Sequence, residues 1–389
     1  MISYGKQSID QADIDSVVEI LKGDWLTQGP AVEIFESDLK NYFGANHACA
    51  VTNGTAALHL VGLALGWQSG DIVITSPLTF LATANCIVYA GATPDFVDID
   101  PVTYTIDPNL VEERIKYHQS KGKEVKAIIG VDYAGHSCDW KALREIANKY
   151  ELQLVNDNCH ALGARYFGDK QYAVKYADLI TQSYHPVKHL TTGEGGAVLT
   201  NNSDFDEKIR RLRTHGMTKD NSKFSIQHQS LNEPWYYEMH EVGFNYRITD
   251  FQCALGSSQL MKLDQFVIKR CEIAIRYNEG FEGNQLLIIP NVSSTVSHAF
   301  HLYPLQVDFQ KISLNKIDLF REFEKLNIKL QVHYIPVHTQ PYYMEKFGFQ
   351  WGDYPIAEEY YEKVISLPMY PSLSTSEIEY IIEKINAFE

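Results

Sequence analysis

A lysine, a carboxylate and a Gly-Thr helix start are the groups in this sequence best suited to covalent chemistry on a bound small molecule. Lys188 lies in Ser183-Tyr-His-Pro-Val-Lys188-His-Leu-Thr-Thr-Gly-Glu-Gly-Gly196, just beyond an apolar stretch that reads as a strand. A lysine there, ringed by small residues, is placed to enter a site at the sheet edge. Desolvation would lower its pKa and leave neutral amine for a Schiff base. Asp157 ends a second apolar strand in Val155-Asn-Asp157-Asn-Cys-His160-Ala-Leu-Gly-Ala164. A carboxylate so placed suits the ring nitrogen of pyridoxal 5′-phosphate (PLP), whose protonated pyridine is an electron sink. In Thr52-Asn-Gly54-Thr55-Ala56-Ala57-Leu58 the glycine permits close approach, and the first helical turn offers free amides to a phosphate. Phe80, in Pro77-Leu-Thr-Phe80-Leu-Ala-Thr, presents a ring that stacks on a flat ligand. Taken singly, each has a plainer reading: a surface loop lysine, a capping aspartate, an ordinary helix start, a core aromatic.

The elements that must position these groups alternate. Short apolar segments at Asp71–Thr75, Lys126–Val131, Leu152–Val155, Leu179–Gln182 and Gly196–Leu199 read as strands, with Trp140–Tyr150 as an intervening helix. That alternation predicts a mostly parallel sheet covered on both faces. Two helices precede it, Ile9–Leu21 capped by Asp10 and Ala31–Phe43, joined by a Gly/Pro-punctuated loop. After about residue 250 the pattern changes. A long helical stretch starts at Asp250–Lys262 and continues over Gln265–Glu279. Strand (Ala299–Val307), helix (Asn315–Leu326) and two last helices (Ile356–Val364, Ser374–Phe388) follow. We therefore expect an α/β domain over residues 1–249 and a smaller α+β domain over 250–389.

Bulk properties narrow the function. The chain has 389 residues, enough for a large domain and a smaller one. With 34 basic against 49 acidic side chains, the net charge of −15 argues against a nucleic-acid or anionic-membrane partner. A local nest of amides still binds an anionic small molecule. Cys49, Cys86, Cys138, Cys159, Cys253 and Cys271 are scattered, without metal-like spacing, as in a reduced cytoplasmic protein; no metal is expected. MISYGKQSIDQADID has no signal-peptide pattern, and the longest apolar run, Ala56–Leu65, carries His59 and is too short for a bilayer span. No P-loop or convincing dinucleotide fingerprint is present.

Taken in order, these motifs resemble the DegT/DnrJ/EryC1/StrS sugar aminotransferases, fold-type I PLP enzymes. The likeness starts at Trp25-Leu-Thr-Gln-Gly-Pro30 and runs through the motifs above to Gly243-Phe-Asn-Tyr-Arg-Ile-Thr-Asp250 and Val332-His-Tyr-Ile-Pro336. It implies an aspartate-aminotransferase-like fold and assigns roles. Lys188 matches the Schiff-base lysine, which also carries the proton taken from the amino donor, expected to be L-glutamate. Asp157 matches the partner of the pyridine nitrogen, and His160 a Gln/His position near the phenolic oxygen. Gly54, Thr55, Ala56 and Ser183 match the phosphate cradle, and Phe80 the aromatic over the ring. Asn245 matches a stretch that crosses from the partner subunit, which implies a homodimer with shared sites. Thr27, His185, His333, Tyr334 and His338 fall where relatives hold the sugar nucleotide, and Arg247 is a candidate for the donor carboxylate.

Within the family, Gln331-Val-His-Tyr-Ile-Pro-Val-His338, Gln340-Pro-Tyr-Tyr343 and Pro234-Trp-Tyr-Tyr-Glu-Met239 look most like the transaminases of the pseudaminic acid pathway. Those enzymes aminate C4 of a UDP-linked 4-keto-6-deoxy-N-acetylhexosamine. Asn156 departs from the Glu of many relatives. His189 directly follows Lys188, whereas relatives with His in place of the lysine are dehydratases. The alternatives are amination at C3, or at C4 of another nucleotide keto sugar, a PLP-dependent sugar dehydratase, and a binding protein that kept the fold.

Overall fold

The computed structural model describes residues 1–225, 233–312 and 314–387. Its frame is a seven-stranded sheet with strand order β1-β8-β7-β5-β4-β2-β3. The strands are β1 (His47–Val51), β2 (Ile72–Thr75), β3 (Thr93–Phe96), β4 (Val125–Val131), β5 (Gln153–Asp157), β7 (Leu179–Ser183) and β8 (Gly196–Thr200). Pairs β3/β2, β2/β4, β4/β5 and β5/β7 are parallel, whereas β8 runs antiparallel to both β7 and β1. The sheet is the mostly parallel one the sequence predicts. Strands β1 and β3 are additions, and Pro94 interrupts the apolar pattern of β3.

The flanking helices start where the sequence caps them. Asp10 and Asp13 form a reciprocal capping box on α1 (Gln11–Lys22). Pro30 opens α2 (Pro30–Phe43), and Gly44, at φ 71°, closes it. Asn53 caps α3 (Gly54–Ala64) by accepting from the Ala56 amide at 2.8 Å. Helices α4 (Leu81–Tyr89), α5 (Pro108–Ser120), α6 (Trp140–Lys149), α7 (Tyr172–Tyr176) and α8 (Ser203–Arg213) link and cover the strands. Trp140 and Leu143 of α6 sit in one core cluster with Ile128 and Leu154, while α3 and α4 supply a second with Val73 and Val155.

The long helical stretch after residue 250 is two helices, α9 (Asp250–Leu260) and α10 (Leu263–Gly280), separated at Met261 and Lys262. Helix α9 packs against α1 and α2, while α10 joins a separate cluster built on a second sheet. That sheet orders β11 (Leu287–Ile288), β13 (Tyr303–Val307) and β14 (Val364–Leu367). Two-residue strands form small pairs, β6 (Arg165–Tyr166) with β12 (Val296–Ser297) and β9 (Met217–Thr218) with β10 (Glu238–Met239). Helices α11 (Lys316–Lys325), α12 (Pro341–Phe347), α13 (Pro355–Lys363) and α14 (Thr375–Asn386) complete the chain. The expected helix through Val364 stops one residue earlier: Val364 begins β14, whose four residues are all buried. Phe388, at the end of the last expected helix, lies outside the described residues. Among the described residues no helix is long and apolar enough to cross a membrane.

The outer edge of β1 is covered by side chains. Arg210 Nη2 donates to the Ala48 carbonyl (2.5 Å) and Arg213 Nη1 to the Ala50 carbonyl (2.8 Å). Glu36 Oε1 accepts from the Ala50 amide (2.9 Å), and Glu36 pairs with both arginines at 2.7 and 2.8 Å. Glu36 is buried, so removing its carboxylate strands the Ala50 amide and takes the counter-charge from Arg213, while Arg210 keeps Asp206 at 2.8 Å. Glu36→Ala should lower stability by about 2–3 kcal/mol, read from the urea unfolding midpoint.

Candidate active site

The carboxyl ends of β4, β5 and β7 open on a cavity of about 620 Å³ bordered by Val131, Asp157 and Ser183, with the α3 N-terminus beside them. A parallel sheet leaves such a crevice where its strands stop and their loops diverge. Lys188 enters from the loop after β7. That loop is tied down by Tyr184 N to Gly195 O (2.8 Å), Thr192 N to Tyr184 O (3.0 Å) and Lys188 N to His185 O (2.9 Å). The part of Lys188 that remains exposed faces the cavity. Burial lowers its pKa, as does Arg270, against the opposing pull of Cys159 and Asp157. The net direction favours neutral amine. Cys159, also in the wall, is driven the other way, chiefly by burial and next by Asp157, and stays a thiol.

Asp157 is held on both oxygens. Oδ2 accepts from Thr83 Oγ1 (2.7 Å), which also shares a hydrogen bond with Thr79 (2.8 Å), and Oδ1 accepts from the Cys159 amide (3.2 Å). His160 follows on the same turn. Its Nε2 shares a hydrogen bond with the Tyr334 hydroxyl (3.0 Å), and its Nδ1 has no partner among the described residues.

Gly54 and Thr55 line the cavity next to Ser183. Gly54 is required there, because a Cβ would stand 2.9 Å from Ser183 Cβ. Phe80 caps α4, is 54% exposed, and lies with its ring 5.9 Å from that of Tyr334. Across the cavity, His333 and Tyr334 arrive from the segment after residue 330; His333 Nδ1 bonds Ser366 Oγ (2.8 Å) and burial depresses its pKa to about 3.

The structure thus brings Lys188, Asp157, His160, Gly54, Thr55, Phe80, Ser183, His185, His333 and Tyr334 around one space. It does not bring Ala56 there, because that residue is buried and its amide is spent on the Asn53 cap. Thr27, Asn245 and Arg247 also lie outside it. Thr27 forms a β-bridge with Thr249, and Asn245 forms one with Thr214. His338 is a correction. It is fully buried, its Nε2 bonds Glu358 (2.9 Å), and the Glu358 carboxylate also accepts from the Gly352 and Tyr354 amides. His338 therefore braces a turn instead of facing a ligand. Tyr4, Thr83, Cys159, His301 and Gln331 line the cavity without having been singled out from sequence. Cys159, Thr83 and Gln331 sit inside the motifs around Asp157, Phe80 and His333, while Tyr4 and His301 come from segments whose pattern marks only tail or strand.

Five imidazoles in and behind this wall, His160, His189, His298, His301 and His333, have pKa values pushed down, first of all by burial. Each takes up a proton in the unfolded chain near its ordinary value of 6.5 but stays neutral in the fold. The unfolded state then binds more protons, so stability is lost as pH falls below about 6.5, and for His333 the loss continues to about 3. The urea midpoint should be clearly lower at about pH 5.5 than at about pH 7.5, and its pH dependence should shrink when several of these histidines are replaced by glutamine.

Comparison with known proteins agrees with this architecture. The DegT/DnrJ/EryC1/StrS aminotransferase family matches the chain over residues 7–386. A Campylobacter jejuni relative, UDP-4-amino-4,6-dideoxy-N-acetyl-beta-L-altrosamine transaminase, is 37% identical over 382 residues, covering 98% of this chain and 96% of its own. Helicobacter pylori PseC, an aminotransferase involved in the biosynthesis of pseudoaminic acid, superposes with a TM-score of 0.87 at 30% identity, covering 99% of this chain and 98% of its own. The PLP form of Streptococcus pneumoniae Spr1654, a putative sugar aminotransferase, gives 0.88 at 29% identity, with the same coverage.

Proposed function

Because the chain belongs to the DegT/DnrJ/EryC1/StrS aminotransferase family, whose aminotransferases depend on PLP, we propose that it moves an amino group from L-glutamate to C4 of a UDP-linked 4-keto-6-deoxy-N-acetylhexosamine. One observation carries the reading: a desolvated lysine, a doubly held carboxylate and a helix N-terminus narrowed by Gly54 and Ser183 share a single cavity. The choice of sugar rests on the likeness to the Campylobacter jejuni transaminase and to PseC.

The donor set fits the cofactor. Gly54, Thr55 and Ser183 offer amides and hydroxyls to a phosphate beside the positive end of α3. Asp157 offers a carboxylate oxygen to a protonated ring nitrogen, Phe80 a ring face, and His160 a neutral imidazole with one nitrogen unpartnered among the described residues. Bound there, PLP supplies the electron sink that makes a carbon–hydrogen bond next to the amino group acidic. The chain's own part is proton handling. Burial keeps the Lys188 Nζ neutral enough to take the donor's α-proton and return it one position away, as a general base and then an acid. Thr83 and the Cys159 amide fix the Asp157 carboxylate so that it does not turn toward Lys188. We assign His185, His333 and Tyr334 to the sugar nucleotide.

We also propose a homodimer in which Asn245, with Thr27 and Arg247, completes the partner's site. Trp235 (71% exposed), Met239 (61%) and Val242 (79%) support this, since large apolar groups clustered just before Asn245 suit a covered face.

The protein's visible band should be bleached by L-glutamate and restored by the UDP-4-keto sugar, with an aminated product by mass spectrometry; a deoxygenated product instead would mean dehydratase chemistry. Lys188→Ala should lose at least about a thousandfold in turnover, while Asp157→Ala keeps some cofactor and loses most activity. Near-normal rates in Asp157→Ala would remove its assignment. Activity should fall on dilution in step with dissociation measured by sedimentation, and a fully active monomer would rule out the shared site.

A further inference from the structure

We infer that His301 is a positioning residue for the reaction: its ring is the surface that holds His160 in place against Tyr334. This rests on the aminotransferase reading only in giving His160 a task beside the cofactor; the contact itself stands on geometry.

Among the described residues the His160 ring has three aromatic neighbours, of which Tyr133 stands farthest, at 6.4 Å between centroids. His301 lies 4.3 Å away between centroids, at an interplanar angle of 44°. Tyr334 lies 5.8 Å away at 28°, and the Tyr334 hydroxyl fixes the edge of the ring through Nε2 at 3.0 Å. One hydrogen bond sets a direction but leaves the ring free to rock about it. A second aromatic face removes that freedom. His189 stands behind, its ring 5.6 Å from that of His301 and its Nε2 bonded to the Ala299 carbonyl at 2.9 Å.

The chain goes to unusual lengths to deliver His301 to this spot. The preceding Phe300 is held at φ 45°. It packs on a turn in which Ala134 has φ 57° and Gly135 φ 110°. A Cβ on Gly135 would stand 2.7 Å from the Phe300 nitrogen, so the two strands of backbone meet with no side chain between them. Ala299 N donates to Gly135 O (2.9 Å) and Leu302 N to Ala134 O (3.2 Å), gripping the segment on both sides of His301. Arg270, fully buried and without a carboxylate partner among the described residues, donates from Nη1 to the carbonyls of Phe300 (3.2 Å), His301 (3.2 Å) and Met369 (2.8 Å). Left-handed backbone at non-glycine residues persists only where the surroundings over-determine it, and such positions gather at working sites.

The test compares His301→Leu, which removes the flat face, with His301→Phe, which keeps it. In the holoenzyme, His301→Leu should lose about tenfold or more in kcat with little change in KM for the keto sugar, and should shift the visible absorption maximum. His301→Phe should recover most of the loss. In the apoprotein, the rate of His160 modification by diethyl pyrocarbonate, read by mass spectrometry, should rise severalfold in His301→Leu and stay slow in His301→Phe. Should the leucine variant fail to fold, His301→Gln carries the same comparison. Equal losses in the leucine and phenylalanine variants, or unchanged His160 labelling in the leucine variant, would overturn the proposal. A wild-type protein that aminates no keto sugar would sink the functional reading, while the labelling comparison would still decide the role of His301.

Discussion

The cavity depends on one buried carboxylate that is not part of it. Asp132 follows the last residue of β4 and accepts four hydrogen bonds: from the Cys138 amide (2.8 Å), Trp140 Nε1 (2.9 Å), Asn158 Nδ2 (3.0 Å) and the Tyr172 hydroxyl (2.7 Å). Its own amide donates to the Asp157 carbonyl at 3.1 Å. Burial pushes its pKa up to about 6, against the pull of those donors. A carboxylate so enclosed is tolerated because each lone-pair direction is answered. It sets the end of β4 against the end of β5, fixes Asn158 next to Asp157, and launches the Tyr133–Gly135 turn that receives residues 299–302. Strand ends, the acidic group and the His301 segment are thus registered to one another through a single side chain.

How much of this could be read from the chain follows from how local each signal is. Asp157 was legible because it ends an apolar strand and Lys188 because it lies in the loop just beyond one, places with a physical meaning in a parallel sheet. The Asn53 cap and the Gly54 helix start were legible for the same reason, since caps are written in adjacent residues. Ala56 was over-read: the cap that marks the helix consumes its amide. His338 was misread because it stands four residues beyond Tyr334 in a motif that looks continuous. The short turn at Val337–Thr339 reverses its side chain into the interior, where Glu358 meets it. Thr83 and His301 were not legible at all, because their importance depends on residues 74 and 141 positions away in the chain. Strand β14 was hidden behind helical spacing that ends one residue before it.

The lysine's surroundings show a division of labour. Four neutral rings, His160, His189, His301 and His333, bring polar atoms close to Lys188 without bringing negative charge, and burial keeps them unprotonated. The carboxylate acting on the amine is Asp157, already occupied by Thr83 and the Cys159 amide, and burial keeps Cys159 itself a neutral thiol. Arg270 adds a positive charge from behind. Had a free carboxylate stood there, the ammonium form would be favoured and the amine lost as a base.

The side-chain cover on β1 bears on how copies of this chain meet. An uncovered edge strand is a template: its amides and carbonyls pair with any extended segment that drifts past, and the sheet then grows from molecule to molecule. Here that invitation is blunted, since guanidinium and carboxylate groups from α8 and α2 already occupy the Ala48 carbonyl and both the amide and the carbonyl of Ala50. On this side the sheet is terminated chemically, as a polymer is by an end group. Crowding the protein therefore does not lengthen the sheet through β1, and contacts between molecules on that flank are left to side chains, whose fit is selective where backbone pairing is not.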